Sequence, residues 1–284
     1  MRNIRFENVG FQYSNEFTAL SNISLNIQNG EVLGIMGRNG AGKSTLIQMM
    51  NGLLKPTEGN VFFDGITTND YDASKLVQKI GIVFQNPEHQ LFSSTVEEEL
   101  NFSLKNLQIS KDLKAQYKDE IIKELKLQSL LHKSPWNCSG GERKKVSLAC
   151  ILCRKPEVLV FDEPTLGQDK SGYKILDNII HKAKERKQTI IVVTHNTEFA
   201  YHYLDRLVVL DNGRILADGP TGEILTNSTI HENSSLIEPQ FFKFKKKMIE
   251  NNLPDNEVFK LIVQAKSFNE VEKIIQNSMG EISQ

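Results

Sequence analysis

Short apolar stretches alternate with longer amphipathic ones along most of the chain. Residues 4–13 and 23–27 alternate apolar and polar side chains, which predicts strands with one buried face. Nearly continuous apolar runs, which predict buried strands, lie at 31–36, 80–84, 158–161 and 190–193. Helical patterns cover 43–54, much of 95–133, and a segment that begins at Ser139 and ends near Arg154. Strands and helices in this order predict an α/β fold with a mostly parallel sheet.

Two turn signals predict antiparallel strands beside that sheet. Asp64-Gly65 follows the apolar run 61–63, and Asp211-Asn212-Gly213 separates 207–210 from 214–216. Asp-Gly and Asn-Gly between apolar runs are typical of β-hairpins. We therefore expect an early and a late hairpin.

The composition changes near residue 226. Residues 226–235 are polar and rich in turn formers, and helical patterns follow at about 239–251, 256–265 and 268–278. Ser267 and Glu270 have the spacing of a capping box at the start of the last helix. We predict a main domain over 1–225 and a small helical appendage over 226–284, for which dimerisation is one candidate role.

Composition narrows the class of protein. Hydrophobic residues make up 39% of the 284, and 34 basic against 35 acidic side chains give a net charge of −1. That balance weighs against a nucleic-acid binder, which usually carries a basic excess. The first residues show no apolar signal segment, and no apolar run reaches the roughly 18 residues that could span a bilayer. We expect a cytosolic chain.

Two further patterns each allow a functional and a structural interpretation. Cys150 and Cys153 form a C-x-x-C, which could be a redox or metal pair or two buried side chains on a helix. No second such pair or nearby His is present, which favours burial. The basic aromatic run 241–247 could face anionic lipid or RNA. We prefer a helix with its phenylalanines packed inward and its lysines in water.

The segment after the predicted strand 31–36 matches G-x-x-x-x-G-K-[ST] at every fixed position. Glycines let backbone N–H groups converge on phosphate oxygens, and the following helix adds its positive end. Lys43 is expected at the β- and γ-phosphates, and Ser44 is expected to give an oxygen to Mg²⁺. The predicted nucleotide-binding residues here are Gly37, Arg38, Asn39, Gly40, Ala41, Gly42, Lys43, Ser44 and Thr45. Alone, this motif indicates binding of a nucleoside triphosphate.

Asp162 and Glu163 follow the apolar run 158–161. Open α/β sheets bind ligands at the carboxyl ends of their strands. We therefore predict that Asp162 holds Mg²⁺ and that Glu163 orients or deprotonates the attacking water. A pair of exposed loop acids is the alternative, which the upstream phosphate-binding loop disfavours.

Ser139-Gly140-Gly141 is a second candidate anion site. Ser139 can cap the following helix, and the glycines leave backbone N–H groups accessible. The chain already has one complete phosphate loop, so a second points to the γ-phosphate of a nucleotide on another copy. A head-to-tail dimer would then enclose two ATP molecules. Alone, this short sequence could be only a helix cap.

Taken in order, these motifs resemble the ABC ATPase family over about residues 1–222. The resemblance implies a P-loop NTPase core with a mostly parallel sheet. It also implies an antiparallel β subdomain, a helical subdomain that carries Ser139, and the small C-terminal helical appendage. ATP and Mg²⁺ are the implied cofactors.

The resemblance also implies roles for single residues. Tyr13 would stack on adenine, and Gln85 would contact Mg²⁺ and sense a membrane partner. Asp169 would lie at the dimer interface, and His195 would contact the γ-phosphate. Glu163, His195 and Gln85 are then the predicted catalytic residues. Each has a structural alternative: a strand aromatic for Tyr13, a loop residue for Gln85, a helix cap or turn acid for Asp169 and a structural histidine for His195.

Two positions depart from the family pattern. Cys138 stands where Leu usually precedes the Ser-Gly-Gly, and Glu142 stands where Gln often follows it. Cys can replace Leu as a buried apolar group. Glu142 suits the helix dipole, but it would repel a γ-phosphate bound in trans. We expect adjusted rather than lost activity.

Residues 84–100 resemble the ATPases of energy-coupling-factor importers, which drive uptake of vitamins and of cobalt or nickel. Gln90, Leu91 and Phe92 are predicted to form an exposed apolar hook, and 97–99 are acidic. Together they could receive a basic coupling helix from a membrane subunit. A helix N-terminus capped by Thr95 is a compatible interpretation.

The sequence therefore predicts an ATP-hydrolysing transport subunit, paired with an identical chain or a close paralogue. Separate membrane coupling and substrate-binding subunits would place it on the cytoplasmic side of a prokaryotic cell membrane, with indirect membrane contact and no nucleic acid. The ATPase of another ABC transporter type is the alternative. A non-transport ABC ATPase is disfavoured, because no coiled coil separates Lys43 from Ser139 and only one ATPase domain is present.

Overall fold

The computed structural model describes residues 3–86, 90–166, 170–234, 236–250, 257–265 and 268–282.

An antiparallel sheet forms the early part of the protein. This sheet has the order β2-β1-β4-β5. Its strands are β1 (Ile4–Gln12), β2 (Thr18–Ile27), β4 (Glu58–Phe63) and β5 (Ile66–Thr67). The hairpin predicted at Asp64-Gly65 is confirmed, and β2 begins earlier than predicted because Thr18 and Leu20 also pair with β1.

The second sheet is mostly parallel, as predicted, and has the order β10-β9-β3-β8-β7-β6. Only β10 runs antiparallel to its neighbour among the described pairings. The strands are β3 (Val32–Gly37), β6 (Ile80–Val83), β7 (Val158–Asp162), β8 (Thr189–Val193), β9 (Arg206–Asp211) and β10 (Arg214–Pro220). This α/β architecture brings the carboxyl ends of five strands to one edge.

Helices pack on both faces of the parallel sheet. They are α1 (Lys43–Met50), α2 (Ala73–Lys79), α6 (Lys170–Glu185), α7 (Thr197–Tyr203) and α8 (Thr221–Leu225). α1 ends before the predicted Leu54, because Gly52 turns the chain with φ 75°. α6 was not predicted, although Leu176, Ile179, Ile180 and Ala183 are buried at helical spacing.

A separate helical cluster carries Ser139. It consists of α3 (Val96–Lys105), α4 (Lys111–Leu125) and α5 (Gly140–Leu152), around a core of its own. Cys138, Cys150 and Cys153 are buried in that core, and burial raises the pKa of Cys150 and Cys153 to about 12. No group of three His, Cys, Asp or Glu in the described ranges could hold a metal ion. The prediction that Cys150 and Cys153 are buried on a helix is confirmed by their place in this core.

The C-terminal part is helical. α10 (Gln240–Glu250), α11 (Glu257–Gln264) and α12 (Phe268–Ile282) match the three predicted helices. α9 (Ser228–Ser234) lies where only turns were predicted, and Ser267 of the predicted capping box is outside the described residues. Phe241 is buried, as preferred for the basic aromatic run. No helix within the described part of the chain is long and apolar enough to cross a membrane.

Candidate active site

The phosphate-binding loop connects β3 to α1 at the carboxyl edge of the parallel sheet. Gly37 has φ 148°, and a Cβ there would lie 2.2 Å from the carbonyl oxygen of Leu210 on β9. Gly42 has φ 98°, and a Cβ there would lie 2.6 Å from the carbonyl oxygen of Ala19 on β2. Close contacts with both sheets therefore require glycine at these two points of the loop.

Lys43 is held across this loop. Its side chain is buried, and Nζ donates to the carbonyl oxygens of Gly37 at 2.7 Å and Arg38 at 2.9 Å. Burial lowers the pKa of Lys43, while the charges of Glu163 and Asp162 oppose that shift. The ammonium group is thus in place inside the loop and is a charge that a phosphate could contact.

Other residues of the predicted set follow the same path. Arg38, Asn39, Gly40 and Ser44 are exposed, so their backbone and polar atoms are accessible to a ligand. Ala41 is buried, and its N–H donates to the carbonyl oxygen of Arg38 at 3.1 Å.

Strand pairing brings the predicted acids and histidine to the same edge. β8 pairs in parallel with both β3 and β7, and Asp162 stands opposite Val193. The Glu163 N–H donates to the carbonyl oxygen of Val193 at 2.8 Å. One Glu163 carboxylate oxygen accepts the backbone N–H of His195 at 3.3 Å, and the other lies 3.5 Å from the ring nitrogen His195 Nε2. Two residues distant in sequence therefore lie in direct contact.

Glu163 combines an unusual backbone with an unfavourable charge. Its φ is 51°, a conformation that is uncommon without glycine and recurs at functional sites. Burial raises the pKa of Glu163, and burial together with the Glu163 charge raises the pKa of Asp162. Burial and the Lys43 charge lower the pKa of His195, which favours the neutral imidazole. A cation beside these carboxylates would relieve their repulsion.

Tyr13 is hydrogen-bonded to the first turn of α1, the helix that follows the phosphate-binding loop. Its hydroxyl and the Thr45 Oγ1 form a hydrogen bond of 3.0 Å. Its ring packs edge-on against Phe11, with centroids 4.8 Å apart, and remains 39% exposed. Tyr13 is therefore within reach of a ligand that also contacts the first turn of α1.

The Ser139 segment forms the predicted cap of α5. Ser139 Oγ accepts the Glu142 N–H at 3.3 Å, and the Glu142 carboxylate accepts the Ser139 N–H at 2.7 Å. Glu142 therefore stabilises the start of α5 as part of a reciprocal capping box, a role that was not predicted. Gly140 and Gly141 have open space around them. Cys138 is buried, as predicted for a replacement of Leu.

Gln85 and α5 approach the two acids within one protomer. A cavity of about 60 Å³ is lined by Gln85, Gly141, Asp162 and Glu163, among others. Gln85 itself follows β6 and is exposed. Asp169 and residues 87–89 lie outside the described residues.

The apolar hook predicted after Gln85 is only partly correct. Leu91 is 4% exposed, because it belongs to the core of the helical cluster. Phe92 is 62% exposed and packs edge-on against Phe102 of α3, with centroids 4.7 Å apart. The two rings line a groove of about 540 Å³ between the helical cluster and the parallel sheet. Phe102 was not predicted, because only the fold places it beside Phe92.

The acids of that segment serve the local structure. Glu99 is buried and accepts the N–H groups of Phe92 and Ser93. Glu97 pairs with Lys118 at 3.0 Å. Thr95 caps α3 by accepting the Glu98 N–H at 3.2 Å. The helix N-terminus that we considered compatible is therefore present.

Comparisons with known proteins extend these observations. The family model described as "ABC transporter" matches residues 20–166. The energy-coupling factor transporter ATP-binding protein EcfA2 of Acetivibrio thermocellus is 38% identical over 260 residues, 88% of this chain and 90% of that protein.

Two solved structures share the fold and are more than 30% identical to this chain in sequence. CbiO1 of Clostridium perfringens, part of the ABC transporter complex cbiONQ, is 34% identical with a TM-score of 0.70, covering 86% of this chain and 98% of that chain. The dimeric cassette MJ0796, in a post-hydrolysis state with ADP and Pi, is 32% identical with a TM-score of 0.67, covering 77% and 98%. The family match and the similarity to EcfA2 agree with a phosphate loop, two acids and a histidine at one sheet edge. The chain therefore belongs to the ABC transporter family as one of its ATP-binding, ATP-hydrolysing subunits.

Proposed function

We propose that this protein is the ATPase of an energy-coupling-factor importer and works in a dimer of ABC ATPases below separate membrane subunits. The similarity to EcfA2 and CbiO1 over most of the chain supports this type. The cargo class that goes with it is a vitamin or a transition-metal ion. The protein would lie on the cytoplasmic side of the cell membrane, held there by its membrane partners.

The observation that carries the ATPase function is the contact between Glu163 and His195 at the sheet edge that also presents Lys43. Lys43 would exchange its two carbonyl contacts for phosphate oxygens of ATP. Glu163, already partly desolvated, would accept hydrogen bonds from the attacking water and orient it. Neutral His195 would donate to the γ-phosphate from the adjacent strand end. Attack in line with the leaving ADP then needs positioning and charge stabilisation.

The residues beside the loop suit a hard cation. Mg²⁺ prefers oxygen ligands, and Ser44, Gln85 and Asp162 offer a hydroxyl, an amide oxygen and a carboxylate. The raised pKa of Asp162, caused by burial and by Glu163, is the electrostatic reason for a cation there. Mg²⁺ would neutralise charge on the β- and γ-phosphates.

The dimer would be completed by the start of α5. Ser139, Gly140 and Gly141 are exposed and would bind the γ-phosphate of ATP held by the other subunit. Asp169 would lie at the interface between the two subunits. In this arrangement ATP closes the dimer, and hydrolysis opens it.

The groove lined by Phe92 and Phe102 is the proposed site of a coupling helix from the membrane subunit. Both rings are at least half exposed, and an amphipathic helix could bury them. We further infer that residues 1–225 form the ATPase domain and that 226–284 form a helical appendage, for which dimerisation is the candidate role.

A substitution at Glu163 tests the central proposal. Glu163→Gln keeps the shape but removes the charge that orients water, so ATP should still bind and turnover should fall about a hundredfold or more. An ATP-bound dimer should then accumulate in size-exclusion chromatography with Mg-ATP. Lys43→Ala is the matched control, because it should abolish both ATP binding and dimer formation. A Glu163→Gln protein that hydrolyses ATP at the wild-type rate would refute the assignment.

A further inference from the structure

A second aromatic side chain stands beside Tyr13 at the tip of the first hairpin. The Tyr13 N–H donates to the carbonyl oxygen of Phe17 at 2.9 Å, and the Glu16 N–H donates to the carbonyl oxygen of Tyr13 at 3.0 Å. Glu16 has φ 64°, as the last loop residue of a three-residue hairpin turn requires. Tyr13 and Phe17 are therefore directly opposite each other across the hairpin.

Opposite residues of an antiparallel pair project from the same face, with Cβ atoms roughly 5 Å apart. The face in question points to the nucleotide site, because the Tyr13 hydroxyl is bonded to Thr45 in the first turn of α1. The same hairpin approaches the phosphate loop at Gly42, where Ala19 leaves no space for a Cβ. Phe17 thus lies on the ribbon face that carries Tyr13 and adjoins the phosphate-binding loop.

Phe17 is held in this position although it is 55% exposed. Its N–H donates to the Asn15 carboxamide oxygen at 3.3 Å, and Gln12 Nε2 donates to the Glu16 carbonyl oxygen at 2.9 Å. The loop is therefore braced by side chains as well as by its backbone. The Phe17 ring is a large apolar group that is exposed to water next to a candidate ligand site, so a bound ligand could bury it.

We propose that Phe17 is a second aromatic contact for the nucleotide base and that it makes the site prefer purine over pyrimidine nucleotides. The inference rests on the proposed function, since it needs a triphosphate in the adjacent loop. A two-ring base can reach across both aromatic side chains, whereas a one-ring base covers Tyr13 and leaves Phe17 in water. Stacking on an aromatic side chain tolerates any flat base, so the size of the base decides the gain.

Calorimetric titration of the full-length protein with Mg-ATP, Mg-UTP and inorganic tripolyphosphate tests this. Phe17→Ala should weaken ATP binding at least about fivefold, weaken UTP binding less, and leave tripolyphosphate binding unchanged. Phe17→Trp keeps an aromatic ring at this position and should bind ATP as the wild type does. Ile66→Ala is the control, because Ile66 is a half-exposed apolar residue of the same sheet away from the loop.

Two results would overturn the inference: wild-type ATP affinity in Phe17→Ala, or an equal loss for tripolyphosphate, which would indicate a damaged loop rather than a lost base contact. Lys43→Ala keeps the two proposals apart. If Lys43→Ala binds ATP normally, the proposed function fails. If only Phe17→Ala binds normally, the phosphate site stands and the base contact does not.

Discussion

Asp162, the last residue of β7, and Glu163, the next residue, carry carboxylates whose charge is unfavourable in the protein without nucleotide. Burial raises the pKa of Glu163, and burial with the neighbouring charge raises the pKa of Asp162. A carboxyl group whose pKa is raised by folding contributes stability below its unfolded pKa and loses it as pH rises through the folded pKa. At neutral pH the nucleotide-free protein therefore carries unfavourable charge at these two side chains.

Glu163→Gln should consequently raise the melting temperature of the nucleotide-free protein at pH 7. The gain should shrink as the pH falls through the range in which Glu163 becomes protonated in the wild type. Thermal unfolding followed by circular dichroism from pH 7 downwards measures both. A melting temperature that is unchanged or lower at pH 7 would contradict the electrostatic argument. Glu157→Gln, on a carboxylate paired with Lys79 at 3.2 Å, is a contrasting variant that should not gain stability.

Single residues differ in how far the sequence alone could place them. Lys43 and Glu163 were predictable, because a fixed motif ties each to a strand end and so to the sheet edge. The buried Leu91 and the exposed Phe102 were not, because which side of a short apolar segment faces water depends on the packing of α3 and α5. The same holds for Phe17, whose position depends on a three-residue loop closed by backbone hydrogen bonds.

At the scale of elements, the C-terminal helices are joined to the part of the protein that carries His195 through α7. This short helix begins two residues after His195, and the Glu198 carboxylate accepts the N–H groups of Gln240 and Phe241 at the start of α10. Tyr201 of α7 packs against the Phe241 ring with centroids 6.3 Å apart. The core of the appendage is small, so Phe241 is a large part of it.

Phe241→Ala should therefore loosen the appendage while the parallel sheet stays folded. Removing a buried phenylalanine costs about 3–5 kcal/mol, more than a cluster of this size can replace by relaxation. Hydrogen exchange should show faster exchange in α10 and α12, with unchanged protection in β7 and β8. Ile249→Ala is the matched control on the same helix, because Ile249 is 53% exposed. Equal protection in Phe241→Ala and wild type would show that α10 is held by other contacts.

Most elements with a strong periodic signal were predicted, and α6 is the exception. The buried strands and the three C-terminal helices stand close to their predicted bounds, because apolar runs and amphipathic stripes report burial directly. α9 was not predicted, since polar residues at 226–235 are equally compatible with turns. Sheet order could not be read at all: β8 lies between β3 and β7 although it is the last of the three in the chain.

At the scale of the whole molecule, the cavity beside Asp162 and Glu163 and the groove lined by Phe92 and Phe102 share the residues Phe84 and Ser147. Phe84 directly precedes Gln85, which lines the cavity. A helix that enters the groove would therefore contact residues that also line the cavity beside the two acids. We expect mutation in the groove to separate transport from hydrolysis.

The double variant Phe92→Ala, Phe102→Ala should make that separation. Both side chains are largely exposed, so the fold, ATP binding and basal hydrolysis should be retained. Burying one such ring is worth about 1.5–3 kcal/mol when it is complete, so losing both should weaken assembly with the membrane subunits at least about tenfold. Co-purification with those subunits and uptake by reconstituted vesicles measure the effect. Leu216→Ala, a change at an exposed apolar residue of β10, is the control that should assemble normally. Leu91→Ala would be a poor probe, because its buried side chain stabilises the helical cluster itself. If the double variant assembles and transports like the wild type, the coupling helix binds elsewhere, and the link through Phe84 and Ser147 loses its structural basis.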